Sequence, residues 1–299
     1  MDILRSPFFY VGDKYKLMPQ LNKLFPKEIK TYYEPFCGGG SSFLNTKAER
    51  YIVNDINFYI FKLHKLFKQN AKKEEFLVNI LFDLIKKYGL SCSYIGINVP
   101  EELKKKYVKT YYAKYNKEAY KKMRDDFNIN QANFYLLYLL LIYGFNHMIR
   151  FNSQGLFNLP VGNVDYNNNV AKAIKSYLNF LALNNVILKN FDYKIFLKKQ
   201  SFEEKDFVFC DPPYLISQSE YNKIWNTEEE KKLYEILDDL DKRNIKFGLT
   251  NLAYHKGNKN EILLKWSEKY NCYSVNSNYI SFNDNTIKKD SKEIYVTNV

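Results

Sequence analysis

Four residues at 211–214, Asp-Pro-Pro-Tyr, follow the apolar run Phe207-Val208-Phe209-Cys210. Two prolines fix φ and remove two N–H donors, so a strand that ends here leaves its sheet stiffly. A carboxylate, a proline carbonyl and an aromatic ring are then held together at a strand's carboxyl end, where open α/β sheets place their chemistry. A plain Asp-Pro turn with a core tyrosine is the competing reading. A second cluster stands upstream, where Glu34-Pro35-Phe36-Cys37 runs into Gly38-Gly39-Gly40-Ser41. Successive glycines let the backbone take φ > 0 and approach a ligand without a Cβ in the way. Asn54-Asp55 closes the next strand-like run. Together they can grip a nucleoside, with a glycine turn beneath it and a carboxylate for the ribose hydroxyls. The spacing is not that of a dinucleotide fingerprint, and no Walker lysine and hydroxyl follow, which argues against NAD and ATP. A tight strand-to-helix turn with an N-capping Asp55 stays open beside the nucleoside reading.

Both clusters need strands to carry them. Short strands are expected at 31–34 and 51–54, each followed by a turn and a helical pattern. Residues 66–144 are almost wholly helical in pattern, with apolar residues at i, i+3 and i+4 and many lysines. From Arg150 to Pro160 apolar and polar residues alternate around Gln154-Gly155, a hairpin signature. Beyond 168 the α/β alternation resumes: a helix to about Leu183, strands at 186–188 and 206–210, and a helix at 227–243. A strand at 245–250, an amphipathic helix near 259–269 and a last strand at 293–298 complete it. The expected fold is α/β, a doubly wound Rossmann-like sheet with an inserted, mostly helical domain that ends in a β-hairpin. The sheet domain takes 1–65 and 168–299, and the insert 66–167. The loop from Leu215 to Asn226 is long for an α/β connection and reads as a lid.

The bulk composition narrows the partners. Forty-five basic against 33 acidic residues give a net charge of +12 over 299 residues, which favours a polyanion such as nucleic acid. The wealth of Lys, Asn, Ile and Tyr also fits an AT-rich coding sequence. The longest apolar run, Phe134 to Tyr143, is too short to span a bilayer, and residues 1–6 lack a signal peptide's apolar stretch. A cytosolic protein without a membrane partner is expected. Cys37, Cys92, Cys210 and Cys272 form no CxxC pair and only three histidines exist, which argues against a metal site or disulfide framework. Cys37 and Cys210 read as small buried hydrophobes.

Five segments, in order, carry a resemblance. They are Pro7-Phe8-Phe9-Tyr10-Val11-Gly12-Asp13-Lys14, Glu34 to Gly40, Asn54-Asp55-Ile56-Asn57, the string from Tyr143-Gly144-Phe145-Asn146 through Arg150-Phe151-Asn152-Ser153 to Phe157-Asn158-Leu159-Pro160, and Asp211 to Tyr214. The chain resembles the Dam-type (D12 class, alpha group) DNA adenine-N6 methyltransferases over nearly its whole length. The resemblance implies S-adenosyl-L-methionine as cofactor and double-stranded DNA as partner, with 1–65 and 168–299 as catalytic domain and 66–167 as target-recognition domain. It implies that Tyr10 and Lys14 line the cofactor site, that Phe36 to Gly40, with Gly38 among them, hold its methionine end, that Asp55 binds the ribose, and that Glu34 and Asp211 also belong to the cofactor site. Asp192 matches the acid that meets the adenine ring, an exposed loop acid being the alternative. On the DNA side it implies Arg150 as a base reader and Phe145 as a wedge, with Asn146, Asn152 and Pro160 in the same string. Two departures stand out: the usual Gly-Gly-Lys is Gly12-Asp13-Lys14, and Phe9 replaces the lysine of GATC-specific members, which puts a GATC target in doubt.

The implied reaction explains the motif. An adenine amine has its lone pair delocalised into the ring, and in a duplex the base must first be extruded, at a cost of about a few kcal/mol. Tyr214 offers a stacking face, while the Asp211 carboxylate and the Pro212 carbonyl accept the two N6 hydrogens and localise the lone pair. Lys104, Lys105, Lys106, Lys109 and Lys114, interleaved with Tyr107, Tyr111, Tyr112 and Tyr115, read either as a phosphate-tracking face or as a solvated helix with tyrosines turned inward. Arg150 reads as a guanine-edge contact or as one half of a hairpin salt bridge. An N4-cytosine methyltransferase, a DNA-binding regulator without catalysis, and a small-molecule or RNA methyltransferase are the rival readings. A cognate restriction endonuclease is a candidate partner, and an asymmetric hairpin reader suits a monomer.

Overall fold

The structure, a computed structural model, describes residues 3–217, 225–276 and 291–299. It divides into a sheet unit of Lys14–Cys37, Asn45–Ile56 and Asn185–Val299, and a helical unit of Met1–Asp13, Gly38–Leu44 and Asn57–Asn184.

Among the described residues of the first unit eight strands form one sheet: β1 Thr31–Glu34, β2 Arg50–Asn54, β3 Asn185–Lys189, β4 Phe207–Cys210, β5 Lys246–His255, β6 Asn258–Lys259, β7 Asn271–Val275 and β8 Ser291–Thr297. Their order is β3-β2-β1-β4-β5-β8-β7, with β6 paired to β5. Strands β1 to β5 run parallel, and β8 lies antiparallel between β5 and β7. The inner strands are apolar at successive positions because both faces are covered. On one face Phe207, Phe209 and Tyr295 pack on Phe25, and Tyr32 packs on Phe207 and Phe209. On the other, Tyr33, Val208, Cys210, Phe247 and Leu249 join a core with Leu233, Leu237 and Trp266. Leu233 and Leu237 come from the helix Thr227–Lys242, which starts on an Asn226 cap with three glutamates in its first turn. One of these, Glu230, is buried and accepts from Trp225, Tyr234, Asn251 and Asn260, tying that helix to β5.

The expected strands are present. β5 is longer than expected, running to His255, and the helix Glu261–Ser267 is shorter than the expected 259–269. β6 and β7 had no counterpart in the sequence reading. Four of the five β7 residues are exposed at the sheet's edge, so the strand lacks the apolar alternation that would have marked it.

In the helical unit the helix Phe134–Tyr143 is apolar all round and buried from Leu136 to Tyr143. Phe67 of the helix Phe58–Gln69 packs on Tyr138 of that helix and on Tyr177 of the helix Asn168–Leu183. Phe8 sits among His64, Phe67, Tyr138 and Tyr177. This packing joins Met1–Asp13 to Asn57–Asn184 within the helical unit. Among the described residues no helix is long and apolar enough to cross a membrane.

Candidate active site

The strand order reverses between β1 and β4: the chain steps outward from β1 to β2 and β3, and the other way from β4 to β5. Ligands of open α/β sheets bind in the crevice at the strands' carboxyl ends at such a point. Tyr33 lies opposite Val208, so Glu34-Pro35-Phe36 and Asp211-Pro212 leave the sheet side by side.

Asp211 is the centre of a polar cluster. The Lys14 Nζ lies 2.7 Å from its Oδ2, and the Thr250 hydroxyl donates to its Oδ1 at 2.8 Å. The Tyr214 hydroxyl reaches Asp211 Oδ1 at 3.0 Å and Glu293 Oε1 at 2.5 Å. Lys14 also lies 3.8 Å from Glu293 Oε1 and 5.1 Å from the centre of the Tyr214 ring. Adjacent strands build this cluster. Asp211 follows β4, Thr250 and Leu252 share one face of β5, and Glu293 of β8 stands opposite Leu252. Tyr214 is half-buried with its hydroxyl on two carboxyl groups, so it is not a core filler. Thr250 and Glu293 were missed in the sequence. An acid inside the apolar run Ile294-Tyr295-Val296 and its flank was the available signal for Glu293, because a central strand seldom buries one without a partner.

The neighbouring loops are held by one side chain. Asn54 Nδ2 donates to the carbonyls of Pro35 (2.9 Å) and Phe191 (3.0 Å), and its Oδ1 accepts from Phe191 N (2.9 Å). The exits of β1 and β3 are thereby fastened to the end of β2. Phe36 packs against Tyr193 and edge-on against Trp225. Glu34 is buried at the end of β1. Asp55 is half-buried just past β2, and its carbonyl accepts from Asn190 Nδ2 at 2.7 Å. It is not a helix cap: Asn57 caps the Phe58–Gln69 helix, accepting from Tyr59 N and Ile60 N. Asp192 caps the Tyr193–Lys198 helix through Lys194 N and lies 3.7 Å from Lys194 Nζ. Cys37 and Cys210 are buried, and burial raises both thiols' pKa.

The glycines follow in the helical unit. Gly38 and Gly40 take φ of 46° and 81°. A Cβ on Gly39 would fall 2.8 Å from the Tyr10 Cβ, so Tyr10 packs directly on the turn. The Gly38 carbonyl accepts from His64 Nε2 at 2.8 Å, which leaves Nδ1 to accept from the Tyr177 hydroxyl at 2.5 Å. His64 is a further residue the sequence reading missed. Burial lowers its pKa from 6.5 to about 4. The unfolded chain therefore binds a proton below pH 6.5 that the folded protein refuses until about pH 4, and stability falls as pH drops through this window. A shift of this size corresponds to about 3 kcal/mol. Urea melts of the wild type and of His64→Gln between pH 7 and 4 should show a shallower fall for the variant, and parallel curves would refute the assignment. The Gly12-Asp13-Lys14 departure is absorbed locally: the positive φ falls on Gly12 (80°), and Asp13 N bonds to Tyr10 O at 3.2 Å. Phe9 carries the Arg5 guanidinium 5.1 Å from its ring centre and packs on His147.

The string from Tyr143 to Pro160 forms a narrow turn with little strand character. Phe151 and Phe157 make an antiparallel bridge, Asn152 Oδ1 accepts from Gln154 N and Leu156 N, and Gly155 takes φ of 72°. Arg150 spends Nε and Nη2 on the side chain and carbonyl of Asn158, both at 2.9 Å, so its partner is an amide, and among the described residues it forms no salt bridge. Phe145 is 41% exposed, Asn146 takes φ of 53°, and the Pro160 carbonyl accepts from Phe145 N. Tyr107, Tyr111, Tyr112 and Tyr115 are half-exposed, with Lys106 and Lys114 over the Tyr107 ring. Of the expected lid, residues 218–224 lie outside the described residues.

Among the described residues no group of three His, Cys, Asp or Glu side chains is placed to hold a metal. The chain is 32% identical to the type II methyltransferase M.FokI of Planomicrobium okeanokoites and 31% identical to the modification methylase StsI of Streptococcus sanguinis, in each case over 99% of its own length and 43% of the relative's. It thus spans less than half of these two relatives. To the DNA adenine methylase of Escherichia coli K12 it is 28% identical, over 81% of this chain and 78% of that one. Residues 10–280 match a single family model, a span that takes in the glycine turn, the Tyr143–Pro160 string and the Asp211 motif alike. The chain belongs to the D12 class N6 adenine-specific DNA methyltransferases.

Proposed function

We propose that the chain transfers a methyl group from S-adenosyl-L-methionine to N6 of an adenine extruded from double-stranded DNA. The observation that carries this reading is Asp211-Pro212, stiffly presented at the strand-order reversal and braced by Thr250, Tyr214 and Lys14. The residues present suit the cofactor. Asp55 stands at the end of β2 for a ribose diol, Phe36 and Glu34 stand at the exit of β1, and Gly38 and Gly40 have the positive φ of a ligand-hugging turn. Asp192 caps a helix through Oδ1, and its Oδ2, 3.7 Å from Lys194 Nζ, is the oxygen that would face an adenine ring.

When bound, the cofactor supplies an electrophilic methyl on a sulfonium, which leaves as a neutral thioether. The Asp211 carboxylate and the Pro212 carbonyl accept the two N6 hydrogens, drawing the amine toward tetrahedral geometry and localising its lone pair. Asp211 would also take the proton that N6 sheds on methylation. The Tyr214 ring stacks on the extruded base. Phe145 fills the gap left in the duplex. Asn146, Asn152 and Pro160 shape the turn that presents Arg150. A guanidinium has five N–H donors; Asn158 takes two and sets the plane in which the rest can meet a guanine edge. The lysines of 104–114 track phosphates, in the cytosol where both DNA and cofactor are found. The chain works as a monomer and is paired with a restriction endonuclease; two relatives are named a type II methyltransferase and a modification methylase.

Unmethylated duplex DNA incubated with methyl-labelled cofactor, digested and sequenced for modified bases tests this directly. N6-methyladenine in one sequence context is expected. Label on cytosine N4 would select the cytosine reading, and cofactor binding without transfer would select the regulator. In the same assay Arg150→Ala should relax one position of the target by about 1–3 kcal/mol of discrimination. A uniform loss over all sequences would make Arg150 a phosphate contact.

A further inference from the structure

We infer that Glu293 is a positioning residue of the methyl-transfer motif, which takes Lys14 over from Asp211 when Asp211 turns to the adenine amine. This rests on the methyltransferase reading above. Asp211 already serves three partners: Lys14 at 2.7 Å on Oδ2, and the Thr250 and Tyr214 hydroxyls at 2.8 and 3.0 Å on Oδ1. An ammonium at that distance sits on Oδ2, while Oδ1 already receives two hydroxyls, and so stands where an N6 hydrogen would have to be accepted. Lys14 must therefore withdraw, and its side chain is only 8% exposed, so water offers it little. Glu293 is the second anion within reach. Its side chain is wholly buried, its Oε1 is 3.8 Å from Lys14 Nζ, and a movement of about 1 Å brings the pair to charge-assisted hydrogen-bond distance.

The surrounding groups fit such a handover. Tyr214 bridges the two carboxyl groups, so its ring direction is set by the same pair that shares the ammonium. Thr250 stays on Asp211 and holds it in place while Lys14 moves. A buried carboxylate whose cation is taken away is costly, so Glu293 also draws Lys14 back. One lysine between two acids gives two arrangements of similar energy, in one of which the motif is masked and in the other exposed.

Glu293→Gln keeps the shape and the Tyr214 hydrogen bond and removes the charge. Single-turnover methyl transfer at the mapped site should fall about 10- to 100-fold, while cofactor Kd and DNA Kd stay within about threefold. Adding Glu293→Gln to Lys14→Met should cost no more than about twofold, because no ammonium is left to hand over. Wild-type turnover in Glu293→Gln, a rate loss matched by an equal loss of cofactor affinity, or additive losses in the double variant would overturn the proposal. Glu293→Asp keeps the charge but withdraws it, and an intermediate rate is expected; it serves if Glu293→Gln does not fold, and a wild-type rate would count equally against the handover. Absence of methyl transfer by the wild-type protein would instead sink the methyltransferase reading itself.

Discussion

Asp211→Ala should lower methyl transfer to duplex DNA by about 10³-fold or more, the scale of removing a group aimed at charge that develops in the transition state. The loss is expected in turnover and not in binding, because cofactor and duplex are held mainly by other residues. Stability should change less than a deleted buried ion-pair partner would imply. Lys14, deprived of its 2.7 Å contact, still has Glu293 at 3.8 Å. Asp211→Asn is the informative companion. An amide oxygen can still accept from Thr250 and Tyr214, but it cannot take the proton from N6. It should therefore be about as slow as the alanine variant while melting close to the wild type. Turnover within tenfold of wild type in either variant, measured by label transfer under single-turnover conditions, would remove Asp211 from the chemistry.

Gly40→Ala should destabilise the helical unit by about 3 kcal/mol, combining a left-handed backbone at 1–2 kcal/mol with overpacking of similar size. Gly40 has φ of 81°, and an added Cβ would lie 2.6 Å from Phe43 Cε1 and 2.9 Å from His64 Cε1. Neither ring can yield cheaply. Phe43 is fully buried, and His64 is held between Tyr177 and the Gly38 carbonyl. Pushing His64 aside would release that carbonyl, so cofactor affinity should fall at least about tenfold. Gly12→Ala is the control: φ is nearly the same at 80°, but a Cβ there meets nothing within 4 Å. It should cost only about 1 kcal/mol. Urea melts and calorimetric titration of the cofactor would check both, and equal costs at Gly12 and Gly40 would mean that the ring contacts do not matter.

Much of the sheet was legible because its chemistry is local. Phe207 to Cys210 is apolar at every position, as a strand covered on both faces must be, and the two prolines announce where it stops. The helix Asn168–Leu183 could be read from its apolar stripe alone. β7 could not, since an exposed edge strand has no buried face to impose a pattern. The hairpin at Arg150 was readable as a turn, but its narrowness was not, because Asn152 and Gly155 shorten it through hydrogen bonds and a left-handed residue.

The candidate side chains for this chemistry, the Asp211 motif, the glycine turn, Asp55 and the Arg150 string, were legible locally, each marked by residues whose backbone limits or charges stand out within a few positions. What holds those side chains came from long-range packing. Glu293 stands opposite Leu252 because β8 runs antiparallel beside β5, and Lys14 finds Asp211 across nearly two hundred residues of chain. His64 meets the Gly38 carbonyl from a separate helix. Such partners are brought together by strand order and helix packing, which bury the whole chain's apolar surface at once, and no short stretch of sequence contains that sum.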